Sequence, residues 1–251
     1  MDLALQYERQ YTWRSWAAAY AALPSLAGTR VLDLGCSIGD QARDLAARGA
    51  RVVGIDADAR LLAVARARGI PGAVFHVGDV REPDVQGPFD GVWASFVAAY
   101  FPDLEPVLRT WRTLLRPGGW IALTEVDGLF AHAPLPENVR LLLQAYEREA
   151  FDAGWYDFNM GHRLGEALSA AGFEGVSHHV LVDRELSFKG CADGDVLQAW
   201  GRRLERMRLL QERACVAQVP LQEALLACLT SPAHTTACQV HFWLARSTRA
   251  P

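Results

Sequence analysis

The chain has 251 residues, 51% apolar and 22% charged, enough for one large α/β domain with an ordinary core; a disordered or fibrous chain is excluded. Its 25 basic and 29 acidic residues give a net charge of −4, which argues against a dedicated nucleic-acid binder. No apolar run reaches the length of a membrane span and the N-terminal MDLALQYERQYTWR has no secretory core, so the expected compartment is the cytoplasm. Residues 1–29 read as a helical cap, with Trp13, Trp16, Ala17 and Tyr20 on one helical face. A first strand follows at Arg30–Leu34. A helix runs from about Gly39 to Arg48, with Ala42, Leu45 and Ala46 on its apolar side and Gly49 as its stop. The second strand, Arg51–Ile55, ends at Asp56, and Asp58 is placed to cap a helix through Arg68. Ala73–Val77 is a third strand, Gly91–Ser95 a fourth. Leu104, Val107, Leu108, Trp111, Leu114 and Leu115 recur at helical spacing before Pro117-Gly118-Gly119, and the fifth strand is Trp120–Glu125.

After Glu125 the rhythm changes. Helices are expected at about Asn138–Phe151 and His162–Ala171, strand-like residues at Val176–Phe188, and a further helix with Val196, Trp200, Leu204 and Met207 on its stripe. A final strand covers about Cys238–Ala245. The alternation over 30–125 is that of a parallel sheet, whose right-handed crossovers bring the carboxyl ends of the strands to one edge. A ligand cleft belongs at that edge. The five cysteines (36, 191, 215, 228 and 238) form no CxxC pair and signal neither a metal centre nor a disulfide framework.

The most informative stretch is VLDLGCSIG, Val31–Gly39. A strand ends around Asp33, a small-residue loop follows (Gly35, Ser37, Gly39), and a helix begins. Strand, glycine-rich turn and helix let backbone N–H groups approach a small molecule closely. A dinucleotide fingerprint would need G-x-G-x-x-G here; this chain has serine at 37 and Asp40 where a pyrophosphate would sit. VLDLGCSIG instead resembles the first motif of class I S-adenosylmethionine (SAM)-dependent methyltransferases of small molecules, with Ser37 in place of the middle glycine. FDGVWASF (Phe89–Phe96) and LLRPGGWIALTE (Leu114–Glu125) resemble the fourth- and fifth-strand segments of the same family.

The resemblance covers roughly residues 30–125. It implies an α/β, Rossmann-like class I methyltransferase fold: a seven-stranded, mostly parallel sheet with helices on both faces and an inserted helical lid. It also implies SAM as cofactor. Asp33 would face the methionine moiety, Gly35, Ser37 and Gly39 would form the loop, and Asp56 with Ala57 would meet the ribose diol. Asp79 and the Val80 N–H would meet adenine, and Ser95 and Phe96 would lie beside the reactive methyl. Read from the residues alone, Asp56 and Asp79 are equally loop or cap carboxylates. The domain expectation is a single unit over 1–251, with a SAM-binding core at 30–125 and substrate-shaping insertions and C-terminal strands at 126–251.

Acceptor contacts are sought outside that core. Tyr11 and Trp13 belong to aromatics that either pack or form a lid. Glu125 ends strand five and either meets substrate or caps the edge, and Trp155 and Tyr156 lie in the following insertion. His132 and His162 are the candidate general bases, since imidazole titrates near working pH. The run RRLERMR, Arg202–Arg208, reads either as a contact for an anionic or RNA partner or as a solvated face with Glu205 and Glu212 interleaved and laced with ion pairs, and the second is expected. The expected partner is a small-molecule methyl acceptor, with a homodimer compatible with the pattern. Two alternatives stay open: a SAM-binding cyclase, isomerase or sensor that transfers no methyl group, and an RNA or protein methyltransferase.

Overall fold

The structure, a computed structural model, describes residues 3–248. Two N-terminal helices, α1 (Leu3–Thr12) and α2 (Trp16–Ala22), precede the alternation β1 (Arg30–Leu34), α3 (Asp40–Ala47), β2 (Arg51–Asp56), α4 (Ala59–Ala67), β3 (Ala73–Val77), β4 (Phe89–Ser95), α5 (Glu105–Thr113) and β5 (Leu115–Asp127). Then come β6 (His132–Ala133), α6 (Glu137–Asp152), α7 (Met160–Ala170), β7 (Phe173–Leu181), α8 (Gly194–Arg206), α9 (Arg208–Val216), α10 (Leu221–Thr230), β8 (Thr235–Thr236) and β9 (Gln239–Ser247). Seven strands form one sheet in the order β3-β2-β1-β4-β5-β9-β7; β1 to β5 pair in parallel, and β9 is antiparallel to both neighbours. The order reverses between β1 and β4, and a crevice opens at that switch point.

The central strands are buried on both faces, which is why they read as unbroken apolar runs. Alternation still sorts their side chains: Trp93 of β4 packs with Trp16, Tyr20 and Phe242, while its neighbours Val92 and Ala94 join Leu34, Leu108 and Trp111 on the other side. Asp58 caps α4 as expected, accepting from Arg60 N at 2.8 Å.

Several boundaries differ from the sequence reading. The N-terminal cap is broken at Trp13–Ser15, where Ser15 N donates to Val182 O (2.9 Å). Trp16, Ala19 and Tyr20 are buried there, whereas Ala17 is exposed and Trp13 lies under Arg184. Helix α5 ends at Thr113, ahead of Pro117-Gly118-Gly119, because Leu115 already pairs with Phe89 and opens β5. The strand expected to reach Phe188 stops at Leu181; beyond it Asp183 Oδ1 takes the N–H groups of Glu185 and Leu186 (both 2.8 Å) and turns the chain. Met207 is the break between α8 and α9. The β6–β8 ribbon joins residues about a hundred positions apart, beyond the reach of local periodicity.

Candidate active site

The crevice at the β1/β4 switch point is a cleft of about 750 Å³, well within the size of small-molecule sites. Its base is built by β-strand ends. The loop after β1 folds back on β2: Gly35 N and Cys36 N donate to Ile55 O at 2.8 and 3.0 Å. Ser37 N and Asp58 N then donate to the two carboxylate oxygens of Asp56, each at 2.8 Å. Asp56 thereby ties the loop to the end of β2 while its carboxylate still lines the cleft. Gly35 sits at φ +71°, and a Cβ there would overlap Val97 Cγ2. Ser37 adopts φ +49°, so the loop keeps the left-handed turn of a glycine motif with a serine in it. Gly39 does not line the cleft; it starts α3 at φ +83°, packed against Ile70, Phe75 and Ala65.

Asp33, expected to face the ligand, does not line the cleft: it lies on β1 before this loop and is buried. It is 2% exposed, its Oδ2 has no hydrogen-bond partner, and burial followed by the neighbouring Asp56 charge pushes its carboxyl up to about 8. The Ser37 and Ser95 hydroxyl oxygens are likewise buried and unpartnered. Ala57, Asp79, Val80, Ser95 and Phe96 all line the cleft, and Asp79 is held by Arg81 of its own turn. Phe96 has φ +59°, unusual for a bulky residue and characteristic of functional loops; its N–H donates to Thr124 O (2.8 Å), and Arg14 lies 4.4 Å above its ring. Helix α1 closes one side with Tyr7, Gln10 and Tyr11, whose hydroxyl turns away to Asp44 (2.6 Å). Tyr156, Phe158, Leu129 and Leu186 close another.

The remaining expected site residues lie elsewhere. Trp13 is outside the cleft, and Trp155 is surface-exposed. Glu125 is fully buried beneath the cleft, accepting from Ala99 N at 3.0 Å. His132 packs edge-on against Trp200 and meets His234 at 3.0 Å; burial lowers it to about 3, so it is neutral. His162 bonds to Asp127 at 2.6 Å on the surface. Neither histidine lines the cleft, which removes the geometric support for a base at either position. Among the described residues no histidine or lysine lines it at all. The sequence reading did not place Gln10, Tyr100 or Arg203 at the cleft; all three line it, Tyr100 from an exposed rim, because of tertiary packing rather than local pattern.

Burial raises the Glu125 carboxyl from the ordinary 4.5 to about 8. The folded chain therefore holds a proton that the unfolded chain releases, and this stability is lost as pH rises between 4.5 and about 8. In Glu125→Gln, which keeps an acceptor for Ala99 N, thermal melts across that window should slope less steeply than in the wild type. Identical slopes would show that Glu125 is ionised in the fold.

The fold and cleft define a class I SAM-dependent methyltransferase architecture. A methyltransferase-domain family profile matches residues 5–178, and the chain belongs to this family. Trans-aconitate 2-methyltransferase of Deinococcus radiodurans is 33% identical over 156 residues, covering 61% of this chain and 58% of the relative. Ubiquinone biosynthesis O-methyltransferase of Chromobacterium violaceum is 38% identical over 109 residues, covering 41% of this chain and 47% of the relative. The chain thus spans only about half the length of these relatives. A Mesorhizobium loti SAM-dependent methyltransferase structure superposes with a TM-score of 0.55 at 22% identity, covering 92% of this chain and 96% of the other. Phosphoethanolamine N-methyltransferase 2 of Haemonchus contortus, solved with S-adenosylhomocysteine, gives 0.60 at 20% identity, covering 98% and 57%. At these identities the likeness is one of fold.

Proposed function

We propose that the protein transfers a methyl group from SAM to an oxygen, nitrogen or carbon atom of a small molecule, a metabolite or natural-product intermediate. The observation that carries this reading is Asp56, a carboxylate fixed by two backbone N–H groups at the end of β2 and open to a cleft floored by the Gly35 turn. The donor set fits SAM: acids and unpartnered hydroxyls for a cationic, hydroxyl-rich molecule without phosphates, and a turn where a Cβ would intrude. When bound, SAM supplies an electrophilic methyl group on positively charged sulfur. Asp56 would receive the ribose hydroxyls, Asp79 with Val80 N–H the adenine edge, and Asp33, which does not line the cleft, would act on the methionine moiety only through water. Phe96, Tyr156 and Phe158 would exclude water. Alignment of this kind contributes up to roughly 7–11 kcal/mol in favourable intramolecular reactions. The acceptor is read as a small molecule because α1 and an aromatic wall close the cleft and because the two relatives above are named for small-molecule methylation. All five cysteines are free thiols, in keeping with a reducing cytoplasm.

Methyl-labelled SAM incubated with the protein and a metabolite extract should place label in a small product. Label confined to RNA or protein, or cofactor binding without turnover, would reject the reading. Asp56→Ala should weaken SAM binding about tenfold or more, the loss of about 1.5–3 kcal/mol of charged hydrogen bonding. Calorimetry showing wild-type affinity would reject the diol assignment.

A further inference from the structure

The geometry points to an organic acid as the methyl acceptor, its carboxylate held by Arg203 on the α8 wall of the cleft. This deepens the methyl-transfer reading and rests on it. The cleft's charges are sorted by element. Its carboxylates, Asp40, Asp56, Asp58 and Asp79, come from the end of β2, the start of α3 and the loops after β2 and β3. Its positive charge outside those loops comes from Arg14, between α1 and α2, and from Arg203. The diol, adenine and ammonium of SAM are matched on the first side; its methionine carboxylate is the one group of the cofactor that would compete for Arg203, and the S-adenosylhomocysteine affinity of the Arg203 variants separates that role from binding of the acceptor.

Arg203 is held ready without being consumed. Its Nη2 donates to Glu185 Oε1 at 2.6 Å, and its Cζ lies 5.3 Å from the centre of the Trp200 ring. Its Nη1 has no protein partner among the described residues, and the side chain lines the cleft. Arg14 is committed: Nε pairs with Asp183 at 2.7 Å, Nη1 donates to Gln10 O, and the guanidinium covers Phe96. The two buried acids, Asp183 and Glu185, are therefore matched one for one by Arg14 and Arg203. The rest of this face of α8 adds positive charge. Arg206 bonds only the neutral Gln6 side chain, and Arg202 Nε is buried and unpartnered. Glu205 and Glu212 form no ion pair with these arginines among the described residues, so the expected laced face is not what forms. Burial, with Arg203 alongside, pushes Arg206 below its ordinary value, as expected where cations outnumber acids.

The neighbouring groups suit the same ligand. The hydroxyls of Tyr100, which stands at the exposed rim, and of the half-buried Tyr156 take no hydrogen bond among the described residues; both residues line the cleft and, as phenols, stay protonated at neutral pH. They are donors facing a region influenced by Arg203, and a carboxylate accepts from tyrosine and guanidinium together. A neutral acceptor would leave the Arg203 guanidinium without an anionic ligand on its cleft side.

The test uses protein loaded with S-adenosylhomocysteine and a panel of aliphatic and aromatic mono-, di- and tricarboxylic acids, each paired with its neutral amide. Calorimetry should find acids that bind about tenfold or more tightly than their amides, the effect expected of one charged hydrogen bond. Arg203→Gln combined with Glu185→Gln, which leaves no unmatched buried charge, should erase that preference while retaining S-adenosylhomocysteine affinity. Arg203→Lys, which keeps the charge, should retain part of it and covers the case in which the double variant does not fold. The inference is overturned if no acid outbinds its amide or if the preference survives loss of Arg203. Loss of S-adenosylhomocysteine binding by the wild-type protein would instead overturn the methyl-transfer reading.

Discussion

Gly35→Ala is expected to weaken SAM binding by roughly one to two orders of magnitude, about 1.4 kcal/mol for each. The alanine meets two obstacles. It must adopt φ +71°, which an L-residue with a Cβ does at a cost, and its Cβ lands on Val97 Cγ2. Val97 cannot retreat freely, because it is buried and follows Phe96, itself at φ +59°. The loop has to lift instead, and three contacts lift with it: Gly35 N and Cys36 N on Ile55 O, and Ser37 N on Asp56. Affinity falls through a displaced floor, with no ligand-contacting side chain removed. Gly28→Ala is the control. Gly28 has a nearly identical φ of +73° but no atom within 4 Å of the added Cβ, and it lies outside the cleft. That variant should lose a little stability and no affinity. Calorimetric titration of both with SAM separates the outcomes, and equal affinities would show that the turn does not set the cofactor floor.

The same loop explains why the sheet and the cofactor side were legible in the sequence. Strands β1 to β3 are short apolar runs whose ends reach the cleft edge, so Asp56 and Asp79, at or just past those ends, could be placed on the cleft by position, whereas Asp33, one residue inside β1, is buried and does not line it. A parallel sheet fixes the rest, since each strand end is carried to the same edge by its crossover. The acceptor side has no such rule. His132 looked available because it follows β5 at that edge, but β6 pairs with β8 and buries it against His234, 102 residues away. Arg203 looked like part of a solvated run. What turns it inward is Glu185, held in a turn after β7 by Asp183, and no pattern in residues 202–208 encodes that acid. Trp13 and Trp16 looked equivalent on a single helix; the break at Ser15 sends Trp16 into the core and leaves Trp13 under Arg184. Local periodicity reported the first kind of residue and was blind to the second, because partners distant in sequence decide where the latter point.

Glu185→Ala is expected to destabilise the fold by about 3–5 kcal/mol, the usual consequence of removing one member of a buried ion pair. Glu185 is fully buried and accepts from Gln10 Nε2 at 2.9 Å and from Arg203 Nη2 at 2.6 Å, with Arg14 Nη2 at 3.8 Å. Without it, Asp183 is the remaining acid beside two guanidinium groups, and Arg203 loses its ion-pair partner. Three segments are loosened at once: α1 through Gln10, the α1–α2 break through Arg14, and α8 through Arg203. Glu185→Gln should lose less, because Gln10 Nε2 and Arg203 Nη2 both donate to Oε1 and the amide oxygen keeps that acceptor, although Arg203 loses its countercharge. In urea titrations the alanine variant should shift its midpoint strongly downward at unchanged slope, with the glutamine variant between it and wild type. If alanine and glutamine cost the same, the charge of Glu185 holds this corner and its shape and retained acceptor add nothing. If neither costs anything, α1 and α8 are joined by their apolar contacts alone, and the cleft wall carrying Arg203 owes nothing to the acid beneath it.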